Sequence, residues 1–294
     1  MAVPDPGARP TTPSDALFPG LTSRRSGPNT GGDAGPRLLV VVAHPDDETF
    51  GTGSVLLHAA ASGLATTVVC ATRGEAGEVV EGSGVDAADI AAAREDELRR
   101  AAAVLGVGRV ELFGFRDSGM SGYADASTLA GADPDAVRDA VLSVLRDVRP
   151  DVVVTLDAAD GHRDHAAIRD ATLAAVDALP PEDAPVTYLH CLPQSIMGRW
   201  VAHMAATDPS WAHLELPDLG TPDEQVTTVI DTREHLADRV AAMAEHRSQR
   251  SPFEGLPRGL FEDFLTREHL VRVRPSWDGG AVETQLPGAA RVRA

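Results

Sequence analysis

Six aliphatic residues, Leu38–Ala43, run without interruption into His44-Pro45-Asp46-Asp47-Glu48. A strand that hydrophobic belongs inside a sheet, so the three acids behind it begin at the rim of a core. Consecutive carboxylates in such a place are costly unless something neutralises them. A divalent cation does so, with imidazole and carboxylate oxygen as ordinary ligands. Pro45 fixes one backbone angle and lets His44 and Asp47 turn toward a common point. Taken alone, the same five residues also suit a hydrogen-bonded turn that caps a helix.

A second segment, Gly161-His162-Arg163-Asp164-His165, weighs against the plain turn. His162 and His165 are three residues apart at the start of a helix, so both imidazoles can look the same way. Two imidazole and carboxylate clusters, each following a buried strand, favour a metal site with a position left for solvent.

The chain between them alternates short β-branched runs with Ala-rich helical stretches, the pattern of an α/β fold. We expect a Rossmann-like, doubly wound and mostly parallel sheet with helices on both faces. Strands are predicted at Leu38–Ala43, Ala65–Ala71, Arg109–Phe113, Asp151–Leu156, Val186–Cys191 and near His269–Val273. Helices are predicted at Thr52–Ser62, Asp89–Leu105, Pro134–Val148, His165–Leu179 and Thr232–Arg247, with an irregular insertion over Pro193–Gln225. Residues 1–36, rich in Pro, Gly, Ser, Thr and Arg, read as a disordered leader, and 275–294 as a flexible tail around a single domain at 37–274. Ligands of such sheets sit at the carboxyl ends of the strands. Four successive strand ends carry ionisable clusters: His44–Glu48, Thr72–Glu75, Arg116–Gly119 and Asp160–His165.

A net charge of −18, from 44 acidic and 26 basic residues, repels phosphate backbones and anionic lipid heads, so neither nucleic acid nor membrane is an expected partner. Two cysteines, Cys70 and Cys191, each end a strand-like run and read as buried thiols, which with the lack of a signal segment suggests a cytoplasmic protein. A homo-oligomer stays open.

The motifs Ala43–Glu48 and Gly161–His165, with Thr72–Gly77, Arg94–Leu98, Phe115–Met120 and His246–Gln249, resemble the LmbE-like (PIG-L) zinc-dependent N-acetylglucosaminyl deacetylases, over roughly Arg37 to Val273. Arg116-Asp117-Ser118-Gly119-Met120 is most similar to the mycothiol-pathway members. The resemblance implies that His44, Asp47 and His165 hold zinc (Fe2+ can occupy the same ligands), that Asp46 is the general base, and that His162 stabilises the oxyanion. It implies an acylated amino sugar or glycosylated metabolite as the small-molecule substrate, met by Arg94 and Asp117, with Arg73 and Glu75 either touching substrate or pairing locally. Removing such a base or oxyanion partner costs roughly 10²–10⁴-fold in rate. One departure stands out: Asp160 occupies a position where some sugar-thiol deacetylases of the family carry Tyr, leaving Tyr123 and Tyr188 as the only substitutes.

Glu48 is expected to orient a ligand or cap the next helix, and His246 to be solvated, packed or part of the site. His58, His190, His203, His213, His235 and His269 lack ligand spacing and read as ordinary surface or half-buried residues, while Trp200 and Trp211 fall in the insertion. Alternatives are an amidase cleaving a sugar-thiol conjugate and a catalytically silent metal-binding scaffold. A non-haem iron oxygenase needs a different motif order. A nucleotide-binding module needs a Gly-rich loop where the acids stand.

Overall fold

Strand β1 (Arg37–Val42) is buried from its second residue onward, as its uniform aliphatic content requires. The computed structural model describes residues 35–207 and 219–289, so residues 1–34 of the expected leader and Trp211 lie outside the described residues. Parallel strands β2 (Ala65–Cys70) and β3 (Arg109–Leu112) lie on one side of β1, and β4 (Val152–Leu156) and β5 (Val186–His190) on the other. The chain crosses back over β1 between β3 and β4, which is the reversal of strand order that opens a crevice in doubly wound sheets.

Helices cover the sheet: α1 (Asp47–Phe50), α2 (Gly53–Ala61), α3 (Ile90–Val104), α4 (Pro134–Val148) and α5 (Arg163–Asp177). One aliphatic core runs through β1, β2 and β4 to α2–α5. Expected element ends hold to within one or two residues up to β5. Helix α5 starts two residues early because His162 is its N-cap, its ring nitrogen accepting the Asp164 N–H.

Past β5 the structure departs from expectation. The segment read as an irregular insertion holds a helix, α6 (Gln194–Thr207), whose Met197 joins a second apolar cluster with Phe253, Phe261 and Phe264. The helix expected over Thr232–Arg247 is shorter, α7 (Leu236–Met243), preceded by a 3-10 turn at Arg233–His235. Helix α8 (Arg258–Leu265) and strand β6 (Thr228–Asp231) were not foreseen. β6 and β7 (Arg267–Arg274) close the sheet in antiparallel fashion, in the order β5-β7-β6.

Part of the tail expected to be flexible contacts the body. Glu283 accepts hydrogen bonds from the Tyr188 hydroxyl (3.0 Å) and Thr228 Oγ1 (2.7 Å), and Leu286 is buried. Cys70 and Cys191 are free and buried. Among the described residues no helix is long and apolar enough to cross a membrane.

Candidate metal centre

The two motif segments leave the sheet side by side, at the ends of the neighbouring strands β1 and β4. Beyond β1 the backbone folds back sharply. Asp47 Oδ2 accepts the N–H groups of His44 (2.8 Å) and Ala43 (3.2 Å), which ties the carboxylate to the strand end. Asp46 adopts φ 117° and ψ −32°, a conformation that L side chains rarely take and that concentrates at functional positions. Its N–H donates to Glu48 Oε2 (2.9 Å), and Glu48 is fully buried.

Two imidazoles face Asp47 from opposite sides. His44 Nδ1 lies 3.6 Å from Asp47 Oδ2, and His165 Nε2 lies 3.4 Å from Asp47 Oδ1. In each ring the other nitrogen meets a second carboxylate: His44 Nε2 is 3.2 Å from Asp164, and His165 Nδ1 is 2.6 Å from Asp160. Those carboxylates assign the neutral tautomers, with protons on His44 Nε2 and His165 Nδ1. The lone pairs of His44 Nδ1 and His165 Nε2 are then left for a shared cation.

The two imidazole–carboxylate separations, 3.6 and 3.4 Å, are of the order of the roughly 3.4 Å that a first-row metal with bonds of about 2.1 Å at tetrahedral angles sets between its ligand atoms. Charge agrees. Burial opposes a charge on His44, yet hydrogen bonds to Asp117, Asp164 and Asp47 lift it well above the ordinary imidazole range. His165 is pushed up to about 10 despite burial, by Asp47 and then Asp160. A pocket that draws protons so strongly holds surplus negative charge, which a divalent cation balances.

His162 stands apart from the other two. Its ring packs 4.7 Å from His165 and 4.6 Å from His44 by centroid, and the three offer nitrogens within 4.8 Å of one another. Its Nδ1, however, accepts the Asp164 N–H at 3.1 Å. Burial, followed by the neighbouring histidines, pulls it below its ordinary range, so the ring is neutral and carries its proton on Nε2. Burial, followed by the charge of Asp47, pushes Asp46 up to about 7, in the range that suits a general base.

Two cavities border the motif residues, one at Asp47 and His165 and the other at Asp46. One, of about 440 Å³, has Asp47, Asp160 and His165 on its wall and is otherwise largely apolar, with Phe50, Leu156, Leu192, Met197, Trp200 and Phe253. The other, of about 370 Å³, is polar and is lined by Asp46, Glu78, Glu81, Arg94, Gln249 and Arg250.

Residues 39–176 match the family described as PIG-L: GlcNAc-PI de-N-acetylase. The 1D-myo-inositol 2-acetamido-2-deoxy-alpha-D-glucopyranoside deacetylase 1 of Saccharopolyspora erythraea is 38% identical over 297 residues, which cover 88% of this chain and 96% of that protein. The chain belongs to the PIG-L family. Solved structures show how widely the PIG-L fold is used. The N,N'-diacetylchitobiose deacetylase of Pyrococcus horikoshii aligns at 19% identity and TM-score 0.52, over 82% of this chain and 85% of that one. The 4-carboxy-2-hydroxymuconate hydratase GalB of Pseudomonas putida aligns at 20% identity and TM-score 0.54, over 83% and 99%. At such identities the likeness establishes the fold, and chemistry has to be argued from the site.

The residues expected to meet substrate in this PIG-L protein all have partners within the chain. Arg94 lines the polar cavity, but its guanidinium is buried and donates to the carbonyls of Gly74 (2.8 Å) and Glu78 (3.4 Å). The Asp117 carboxylate accepts the N–H groups of Gly119 (2.7 Å) and Ala76 (3.2 Å) and sits 3.5 Å from His44 Nε2. Glu75 accepts the Asp117 N–H (3.1 Å), and Arg73 pairs with Glu95 (2.9 Å); neither lines either of these two cavities. Glu75 and Asp117 thus join the loops after β2 and β3, and Arg73 ties the first of them to α3. Arg163 adds to these ties, donating to the carbonyls of Gly119 (2.7 Å), Ser121 (2.9 Å) and Gly122 (2.9 Å).

Neither tyrosine replaces the one absent at Asp160: Tyr123 is exposed, and Tyr188 is buried against Glu283. His246, expected as solvated, packed or part of the site, is buried with its Nε2 2.9 Å from Glu48 Oε1. The bracing roles of Asp160 and Asp164 were missed, although both acids stand inside the second motif. Arg239 was missed too. Fully buried, it pairs with Glu268 and donates to the Phe50 carbonyl (2.6 Å), which fastens α1 to β7.

Proposed function

We propose that this PIG-L enzyme hydrolyses the acetamide of a 2-acetamido-2-deoxyglucoside carried on a polyol such as inositol, with zinc as its resident metal. The observation that carries the reading is the convergence of His44 Nδ1, the Asp47 carboxylate and His165 Nε2, with Asp46 alongside. The name of the Saccharopolyspora relative supports the substrate class. Zinc held by His44, Asp47 and His165 supplies a Lewis acid that polarises the amide carbonyl and makes water more acidic.

The chain's own residues do the rest. Asp46 accepts a proton from the attacking water and delivers it to the amine nitrogen as the C–N bond breaks and the C–O bond forms. His162 donates its Nε2–H to the carbonyl oxygen as that oxygen gains charge. Asp164 and Asp160 hold His44 and His165 in their ligand tautomers. The polar cavity beside Asp46, with Arg94, Glu78 and Gln249, suits sugar hydroxyls; Asp117 contributes by holding the loop over them. Arg73 and Glu75 take the local, loop-binding role.

The test is amine release from a panel of N-acetylglucosaminyl compounds. Turnover is expected to vanish on chelation, to return with Zn2+, and to fall roughly 10²–10⁴-fold in Asp46→Asn with metal still bound. Wild-type turnover in that variant would overturn the base assignment and point to another base, whereas no turnover in the zinc-loaded wild type would favour a silent scaffold.

A second reading has its own support. The apolar cavity beside His165 is larger than an acetyl methyl needs. Amides with bulkier apolar acyl groups, as in conjugate-cleaving amidases, would fill it.

A further inference from the structure

Away from the catalytic motifs, His58 of α2 and Glu234 and His235 of the 3-10 turn before α7 form a second cluster. The two imidazoles meet edge to face with centroids 6.0 Å apart. Glu234 Oε1 is 3.7 Å from His235 Nε2, and one donor atom from each of the three residues lies within 4.8 Å of the others. His58 is 6% exposed and His235 8%, while the Glu234 side chain reaches solvent at 56%.

Hydrogen bonding makes this pair unusual. Neither ring nitrogen of His58 has a hydrogen-bond partner among the described residues, nor has His235 Nε2. Buried polar atoms are almost always paired, and a neutral imidazole brings one donor and one acceptor that both need satisfying. Two buried histidines that only packed against each other would leave the whole of His58's polar capacity unused, where Leu or Phe would serve better.

We propose that His58, His235 and Glu234 form a second metal site, distinct from the catalytic centre, that takes a divalent transition cation such as Zn2+. Two imidazoles and one carboxylate suit zinc and its neighbours rather than Mg2+ or Ca2+, which prefer all-oxygen shells. Burial draws both imidazoles below their ordinary range, so they stand in the neutral form that lends a lone pair. Glu234 at the surface gives the ion a way in and supplies negative charge. The role is structural: the ion clamps α2, which follows directly from the catalytic motif, to the turn that launches α7.

The test uses the metal-stripped full-length chain titrated with Zn2+ by calorimetry, with zinc content measured after dialysis. Wild type is expected to take up two equivalents, and His58→Gln with His235→Gln one, while amine release is unchanged. In His165→Ala, which disables the catalytic ligand set, one equivalent and a Zn2+-dependent rise in unfolding temperature should persist. Should the imidazole variants fail to fold, Glu234→Gln decides, since this exposed change should weaken one equivalent by roughly tenfold or more. A single equivalent in wild type, two undiminished equivalents in the imidazole variants, or full affinity in Glu234→Gln would each overturn the proposal.

Discussion

Glu48 and His246 lie 198 residues apart in the chain and meet at 2.9 Å with both side chains fully shielded from water. The same carboxylate accepts the Asp46 N–H at 2.9 Å, so one buried pair ties the C-terminal half to the backbone of the proposed base. Its place is next to the reacting group and outside the metal's donor set. Glu48→Gln and His246→Ala are therefore expected to lower kcat by roughly 10- to 100-fold with zinc content unchanged. Loss of bound zinc in step with activity would mean that the pair serves the ligands instead.

Asp160 meets His165 Nδ1 at 2.6 Å and accepts the backbone N–H of His162 at 2.9 Å, so it orients the His165 ring and pins the turn that enters α5. Asp160→Ala should weaken zinc binding by roughly 10- to 100-fold, while Asp160→Asn, which still accepts a hydrogen bond through its carbonyl, should lose less. Competition against a chromophoric chelator measures both. Equal affinity in wild type and Asp160→Ala would remove the bracing role.

Arg239 and Glu268 are a buried ion pair, and breaking one by removing a partner destabilises by about 3–5 kcal/mol. Burial alone would raise the Glu268 carboxyl, but Arg239 and then His190 hold it below its ordinary value of 4.5. A depressed folded-state value places this contribution to stability above pH 4.5, and it fades as pH falls through the folded-state value. Glu268→Gln should therefore unfold well below the wild-type temperature at neutral pH, with the gap narrowing under acid. Unfolding temperatures compared from pH 7 to 3 give the answer, and a constant gap would contradict it.

The apolar cavity beside Asp47 and His165 predicts tolerance of longer acyl groups. Each extra methylene buried there is worth about 0.8 kcal/mol, roughly fourfold in kcat/KM until the space is full. N-butyryl glucosides should therefore outperform N-acetyl ones. Met197→Trp, which fills the cavity, should abolish that preference and spare the acetyl substrate. Falling kcat/KM from acetyl to propionyl in wild type would assign the cavity to another part of the substrate.

The sequence made the central sheet and the two motif segments that the fold brings together legible because both rest on short-range signals. Buried parallel strands are continuous runs such as Leu38–Val42, and the candidate ligand residues follow them directly. Contacts that depend on distant segments were not legible. Glu48 gives no sign that His246 is its partner, and His58 none that His235 will face it. Asp160 and Asp164 were visible as acids, but only the folded ring orientations assign each to its own histidine. The antiparallel edge was missed because β6 is four residues long and its buried positions depend on β7 and on Glu283. Helix α8 did carry a helical signal, with Leu260, Phe261, Phe264 and Leu265 buried on one side, within a stretch too short to stand out.

The left-handed backbone at Asp46 sets stability and catalysis against each other at one position. Such a conformation costs an L residue about 1–3 kcal/mol, and glycine adopts it freely. Selection for a sturdier fold alone would drift this residue toward glycine and discard the carboxylate. A directed-evolution campaign scored only on heat resistance should thus be expected to recover well-folded, inactive chains altered here.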